Sequence, residues 1–334
     1  MNTHNETLLR DDLHALASGQ PFTPDITTIE RRARQLHRRG TAARGMAGLG
    51  VVATVTAAAL TVGLAQSGPQ GSGPAQAGSP TTGHQLNTGQ SLLYKLASAS
   101  AAAPVLQGRY AILSETDTDT NDPGESLRTS VIDTQTGAST TYQQARAVGG
   151  QAPGTDYLNE PATLTEGPDA TSTEAWYLAL STDPAALRSQ LLAIAKQQAA
   201  QSAKEFQEQA AKVGKSLAGV NTQPVLSDDD YVYQEADELL WSPLVQPSLR
   251  SALYKVLAGT NGFTMNGDAT DPSGRSAIAM IRHYNGVPEI DTTYEDPTTG
   301  AVLAQEWSEN GDTTTAIYQP ATGSDSVPAD PYHS

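Results

Sequence analysis

The hydrophobic pattern changes character along the chain, and each change predicts an element. Residues 6–18 place Leu9, Leu13 and Leu16 at helical spacing, closed by Gly19. Asp25 then precedes a second helical run with Ile26, Ile29, Ala33 and Leu36 on one face. Met46 to Ala65 follow as twenty residues without a charge, about 30 Å as a helix and long enough for one hydrocarbon core. Residues 66–90 lose all periodicity. Their Gly, Pro, Ser, Gln and Thr predict a flexible tether.

From Ser91 the pattern becomes that of a packed domain. Leu92, Leu93, Leu96 and Ala99 to Ala103 predict a short helix stopped by Pro104. Tyr110, Ile112, Val131 and Tyr142 belong to strand-like runs parted by polar turns, and Trp176, Leu178 and Leu180 alternate as a further strand. Thr182-Asp183-Pro184 is a helix start, after which Leu187, Leu191, Ile194, Phe206, Val213 and Leu217 keep helical phase. One helix over 184–217 would be roughly 50 Å long. Asp228 to Asp230 open another helix, with Val232, Ala236, Leu239 and Leu240 in phase, the acids suiting the positive end of its dipole. Pro243 ends it. Pro247 starts the next, with Leu249, Leu253, Val256 and Leu257 as its apolar face and Gly259 as its stop.

Beyond Phe263 the chain reads as an antiparallel meander, GFTMNG, RSAIAMIRHYN, EIDTTYED, AVLAQEWSE and DTTTAIYQ. Its turns fall at Pro272-Ser273-Gly274, Asn285-Gly286 and Asp296-Pro297-Thr298-Thr299-Gly300, the Asn-Gly pair being a strong hairpin signal. The form D-x-x-T-G occurs twice, at Asp133–Gly137 and Asp296–Gly300, and predicts two similar hairpin turns. A loose tail is expected over 321–334. Five segments result: a cytoplasmic helical and basic segment (1–45), a transmembrane helix (46–65), a tether (66–90), an extracytoplasmic domain (91–320) and the tail.

Charge fixes the orientation expected of that layout. The net formal charge is −16, yet residues 1–45 carry seven Arg against five acids, and six of those Arg lie from Arg31 to Arg44, directly before the apolar run. Positive flanks stay in the cytoplasm, so the N-terminus is expected inside and the large domain outside. The lipid bilayer is thus the partner expected of 46–65. A cleaved signal peptide is the rival reading, with Ala75-Gln76-Ala77 as a small-residue site, but a 45-residue leader is unusually long. The outer part is strongly acidic, which repels phosphate backbones, and no aromatic interleaves the arginines, so nucleic acid is not an expected partner.

Candidate chemistry is sparse. Cysteine is absent, which removes disulfides, thiolate metal sites and a thiol nucleophile. Of six histidines only His283 falls inside the predicted fold, too few for a zinc set, and no G-x-S-x-G elbow is present. The run Glu115 to Glu125 is read as a solvated acidic loop. Its Asp117-x-Asp119-x-Asn121 spacing resembles a calcium loop, but Asp122 and Arg128 stand where Gly and Glu are needed. No catalytic, cofactor-binding or metal residue is assigned, and no enzyme activity is expected.

Several pieces carry a resemblance. LLYKLASASAA before Gly108 and Tyr110, LSTDPAALRSQLL (180–192), PLVQPSLRSALYKVLAG (243–259), and the meander through DPSGRSAIAM and YEDPTTGAVLAQEW (271–307) resemble a family of actinobacterial single-pass membrane proteins of uncharacterised function. Residues 193–227 look like an insertion relative to it. Genes of that family often lie beside extracytoplasmic-function sigma factors, which implies envelope signalling and a cytosolic partner, such as a sigma factor, for residues 1–45. The order of elements is also similar to the half-barrel of periplasmic lipoprotein carriers and a related sensor. That implies an α+β fold, a curved antiparallel sheet packed with helices, and an apolar ligand in its concave face. The leading expectation is an extracytoplasmic sensor or regulatory domain on a single span, the alternative a binding module for a lipid or other apolar ligand.

Overall fold

The chain's two β-rich stretches meet in the middle of one sheet. The computed structural model describes residues 87–120, 122–146, 162–167, 169, 173–212, 226–283, 289–309 and 311–332. Helix α1 (Thr88–Ala102) leads into β1 (Tyr110–Asp119), β2 (Asp122–Asp133), β3 (Ser139–Arg146) and β4 (Ala162–Glu166). Four helices follow: α2 (Glu174–Ala179), α3 (Pro184–Lys212), α4 (Asp228–Trp241) and α5 (Pro247–Ala258). The chain returns to the sheet as β5 (Phe263–Thr270), β6 (Ser276–His283), β7 (Glu289–Glu295), β8 (Val302–Glu309), β9 (Asp312–Tyr318) and β10 (Thr322–Ser324).

All ten strands belong to one curved antiparallel sheet, in the order β4-β3-β2-β1-β9-β8-β7-β6-β5, with β10 also on β1. The fold is α+β. Each β-rich stretch is a meander running outward from the central β1/β9 pair, so β4 and β5 are the two opposite edges. The chain must cross from one edge to the other, and α2 to α5 make that crossing.

The helices supply most of the core. Leu249, Leu253, Tyr254 and Leu257 of α5 are buried, as are Leu93, Leu96 and Ala97 of α1, and the two helices pack together. Leu187 and Leu191 of α3 and Val232, Ala236, Leu239 and Leu240 of α4 join the same cluster. From the sheet come Ala111, Leu113, Ile132, Ile278 and Met280. Burying these side chains is the main favourable term for a chain without disulfides.

The helix starts follow their capping signals. Asp183 Oδ1 accepts from the Ala186 amide at 2.9 Å at the head of α3. Ser227 and Asp230 form a reciprocal capping box on α4, and α5 carries Pro247 in its first turn and Gly259 at its end. Both D-x-x-T-G segments make the same turn. The amide of Gly137 meets Asp133 O at 2.8 Å, that of Gly300 meets Asp296 O at 2.8 Å, and both glycines have positive φ, 71° and 63°.

Four expectations are corrected. The Trp176–Leu180 run is not a strand but part of α2, because the Thr173 hydroxyl caps the Trp176 amide at 3.2 Å and turns the chain helical. Five alternating residues were too few to separate the two periods. Helix α1 begins at Thr88, inside the stretch read as tether, because Asn87 and Gln90 form a capping box. Residues 115–119 and 122–125 are not a solvated loop but the paired ends of β1 and β2, Asp119 facing Asp122. The tail is not loose throughout: β10 pairs with β1, and the Tyr332 hydroxyl lies 2.9 Å from Thr129 Oγ1.

The 1–45 helices, the 46–65 span, the tether up to residue 86 and the Asn285-Gly286 turn lie outside the described residues. Among the described residues no helix is long and apolar enough to cross a membrane.

Candidate functional site

The strand facing α4 reverses the usual placement of polar and apolar side chains. Along β7, Glu289, Asp291, Thr293 and Glu295 are all buried, while Ile290, Thr292 and Tyr294 on the other face are half-buried. Strand alternation puts the four polar residues on one side, and that side meets α4. Thr293 Oγ1 donates to Asp237 Oδ1 at 3.2 Å. One turn of helix away, Arg282 of β6 lies 4.2 Å over the Tyr233 ring, and two turns away it binds Asp230 Oδ1 at 2.5 Å. Asp230, Tyr233, Asp237 and Trp241 recur at helical spacing, so α4 turns this face to the sheet and its Val232, Ala236, Leu239 and Leu240 face to the core.

The sheet register carries the polar surface onward. Thr293, Gln305, Ala316, Asp117 and Ser126 stand side by side across five strands. One row to one side runs Tyr318, Glu115 and Arg128, and one row to the other runs Asp291, Trp307, Thr314 and Asp119. Arg128 binds Glu115 and reaches Asp117 Oδ2 at 3.5 Å. Thr314 Oγ1 donates to Asp119 Oδ2 at 2.8 Å. Aromatic rings cover part of this floor. The Trp241 ring centroid lies 5.8 Å from that of Trp307 and 5.7 Å from that of Tyr318.

Several polar atoms enclosed here have no hydrogen-bond partner from another residue among the described residues. They are both carboxyl oxygens of Glu295, Gln305 Oε1, the Tyr318 hydroxyl and Trp241 Nε1. Glu295 is wholly buried, Gln305 is 2% exposed and Tyr318 is 4% exposed. Native proteins leave few such atoms unmatched, and each costs about 1–3 kcal/mol. Others lie elsewhere, at Ser100, Arg188 and Arg250 on the helices, but these five share the α4-facing side of the sheet and make it the candidate site.

The electrostatics follow from burial and crowding. Burial, then the nearby Asp291 carboxylate, pushes the Asp237 carboxyl up to about 7. Burial and then Asp237 hold Glu295 well above the ordinary carboxylate range. Burial raises the Tyr318 phenol, helped by Glu115 and Asp117. Burial also pushes Glu115 up against the pull of Arg128. For Arg128 burial opposes the charge, but Glu115 and Asp117 outweigh it and hold the guanidinium firmly ionised. Asp230 goes the other way. Despite its partial burial, the Ser227 hydroxyl and amide and the Arg282 guanidinium hold it below its usual range.

The sequence named no site residue, and the one histidine it placed in the fold, His283, is exposed on β6 opposite Ile290. Among the described residues no three His, Cys, Asp or Glu side chains converge at metal-binding distance. Acids at every second position, in EIDTTYE and in SETDTD, were the available signal. They pass for the solvent face of a strand until the partner helix is placed over them.

No protein-family model matches the chain. No curated protein matches it either. Among solved structures it is similar to the LolA superfamily protein NE2245 from Nitrosomonas europaea, at 7% identity, covering 74% of this chain and 98% of that one, with a TM-score of 0.16. At that score the likeness carries no argument about function.

Proposed function

We propose that residues 87–332 form a non-enzymatic ligand-binding domain that works as an extracytoplasmic sensor, held at the membrane by the 46–65 span with residues 1–45 in the cytoplasm. The observation that supports it is the set of unpartnered buried atoms of Glu295, Gln305 and Tyr318 between α4 and the sheet. Buried polar groups without a protein partner call for an explanation, and a bound ligand supplies one. The half-buried Trp241 and Trp307 rings add apolar surface beside them, a common composition for pockets that take small ligands. In the signalling reading, ligand held against α4 would bias the outer domain, and residues 1–45 would carry the response to a cytosolic partner such as a sigma factor.

A lipid or other apolar ligand is the second reading, favoured by the Trp241, Trp307 and Tyr318 rings meeting within 6 Å of one another in two pairs. Titrating the detergent-solubilised full chain with candidate ligands while following tryptophan fluorescence tests the binding function. A saturable change, lost in Trp241→Phe, is expected. No change with any class of ligand would overturn it. Reporter fusions after Ala65 and after Ser334 test the topology, and activity only in the cytoplasm would overturn the orientation.

A further inference from the structure

Helix α4 is held along its length by two different chemistries. Its first turn is pinned by three ion pairs: Asp228 to Lys196 of α3 at 2.7 Å, Asp229 to Arg188 of α3 at 2.6 Å, and Asp230 to Arg282 of β6 at 2.5 Å. The later turns carry acids again, Glu235, Asp237 and Glu238. There Glu235 and Asp237 form no ion pair among the described residues. Asp237 instead accepts a hydrogen bond from Thr293 of β7, whose neighbours on the same buried face are Asp291 and Glu295. Packing α4 on the sheet therefore sets one carboxyl over two others.

Such a contact needs protons. Glu295 is wholly buried and neither oxygen meets a donor from another residue, so an ionised carboxylate there would be desolvated and unpaired. The folded chain holds it protonated. Asp237 is under the same pressure: Asp291 of β7 and Glu238 of α4 oppose its charge, and Arg282 of β6, which favours it, is already bound to Asp230. Glu295 also faces it from β7, as do the phenols of Tyr254 on α5 and Tyr318 on β9, both held neutral by burial. On the side toward α2, Glu235 faces Glu238 and the Tyr177 phenol. A carboxyl raised to about 7 in the docked state, as Asp237 is, favours docking fully below the ordinary carboxylate range and ceases to do so as pH climbs through 7.

We propose that α4 is a proton-operated latch: its second half lies on β7 while Asp237 and Glu295 are protonated and separates from the sheet when they ionise, the first turn staying pinned by its ion pairs. Separation lets water reach the new charges and parts them from Asp291. Trp241, the last residue of α4, marks the moving end, its ring 5.8 Å from that of Trp307 on β8 and 5.7 Å from that of Tyr318 on β9. The latch needs no ligand. On the sensor function proposed above, it makes ambient acidity a signal.

Segment-resolved amide exchange of the detergent-solubilised full chain at pH 5 and pH 9, corrected for the pH dependence of exchange itself, tests this. Each proton released on opening shifts the opening equilibrium about tenfold per pH unit. Protection in the second half of α4 is therefore expected to fall at least about tenfold further than protection in α5. Tryptophan emission should change over the same interval, and Trp241→Phe should remove most of that change. In Asp237→Asn/Glu295→Gln both responses should disappear, since the amides keep the shape without the charge. Glu306→Gln, on the opposite face of β8 beside the Tyr294 hydroxyl, should respond as the unaltered chain does. Thermal melts at pH 5 check that each variant folds. Should the double variant not fold, the unaltered chain still decides: equal loss of protection in α4 and α5, or no loss, would overturn the latch. A response that persists in the folded double variant would overturn the assignment to these two carboxyls. Ligand binding without any pH response would overturn the latch and leave the binding function standing.

Discussion

The phenol of Tyr254, buried in α5, donates to the backbone carbonyl of Gly300 at 2.8 Å and so ties the core helix to the β7–β8 turn. That turn is pressed onto the helices. A Cβ on Gly300 would fall 2.0 Å from Ser100 Oγ and 3.1 Å from Leu96 O, at a φ of +63°. Tyr254→Phe leaves a buried carbonyl unmatched and is expected to cost about 1–3 kcal/mol. Gly300→Ala adds a clash to a left-handed conformation and is expected to cost more. Urea denaturation of the full chain measures both, and a Gly300→Ala midpoint equal to that of the unaltered chain would contradict the close approach.

Arg128 is expected to matter more to stability than any exposed arginine. Arg128→Met strands Glu115 and Asp117 without their cation, and breaking a buried pair from one side costs about 3–5 kcal/mol. The double variant Arg128→Met/Glu115→Gln removes the more deeply buried of the two stranded carboxyls and should recover a large part of that loss. A double variant as unstable as the single one would show that packing, not the ion pair, sets the cost.

Stability should fall as pH rises from about 5 to 8. Burial, then Glu238, pushes the Glu235 carboxyl from an ordinary 4.5 up to about 8. The folded state holds that proton more tightly than the unfolded one. Its contribution is therefore complete below about pH 4.5 and is lost as pH climbs through 8, at about 1.4 kcal/mol per unit of difference. Asp237 and Glu295 act in the same direction. Asp229, Asp230 and Asp271 act oppositely, their depressed values contributing stability above the ordinary carboxylate range that is lost in stronger acid. The maximum is expected near pH 5. Urea midpoints at pH 5 and 8 should differ less in Glu235→Gln, and an unaltered difference would rule Glu235 out as a source.

Removing residues 321–334 tests the attachment of the C-terminus. Strand β10 covers Tyr110 to Ile112 of β1, and Tyr332 reaches Thr129. A chain ending at Pro320 is expected to melt several degrees lower and to expose the first half of β1 to amide exchange. Unchanged exchange at Ala111 and Ile112 would mean that the pairing contributes nothing.

The helices were legible wherever a cap stood beside a periodic run, as at Asp183-Pro184 and Pro247, because both signals are local. The C-terminal meander was legible because its turns carry Gly at positions that need positive φ, as at Gly274 and Gly300. The Trp176–Leu180 helix was misread because a single helical turn and a short strand share the same apolar count, and only the Thr173 cap separates them. The pairing of β1 with β9 could not be read at all, since nothing local to Glu115 points to Tyr318. For the same reason the candidate site stayed hidden. Asp237 reads as one more surface acid of an acidic helix until the sheet register brings Thr293 beneath it.

The central β1/β9 seam also sets an order of events in synthesis. Asp119 and Thr314, joined across it, are 195 positions apart, so β1 leaves the ribosome long before its second neighbour exists. Throughout that interval its free edge is a template for any other strand. Long-range pairing of this kind folds slowly, and the β1–β2 hairpin must wait for residues 314–318. A ribosome stalled before residue 312 would carry a chain open along its centre, a natural client for a holding chaperone.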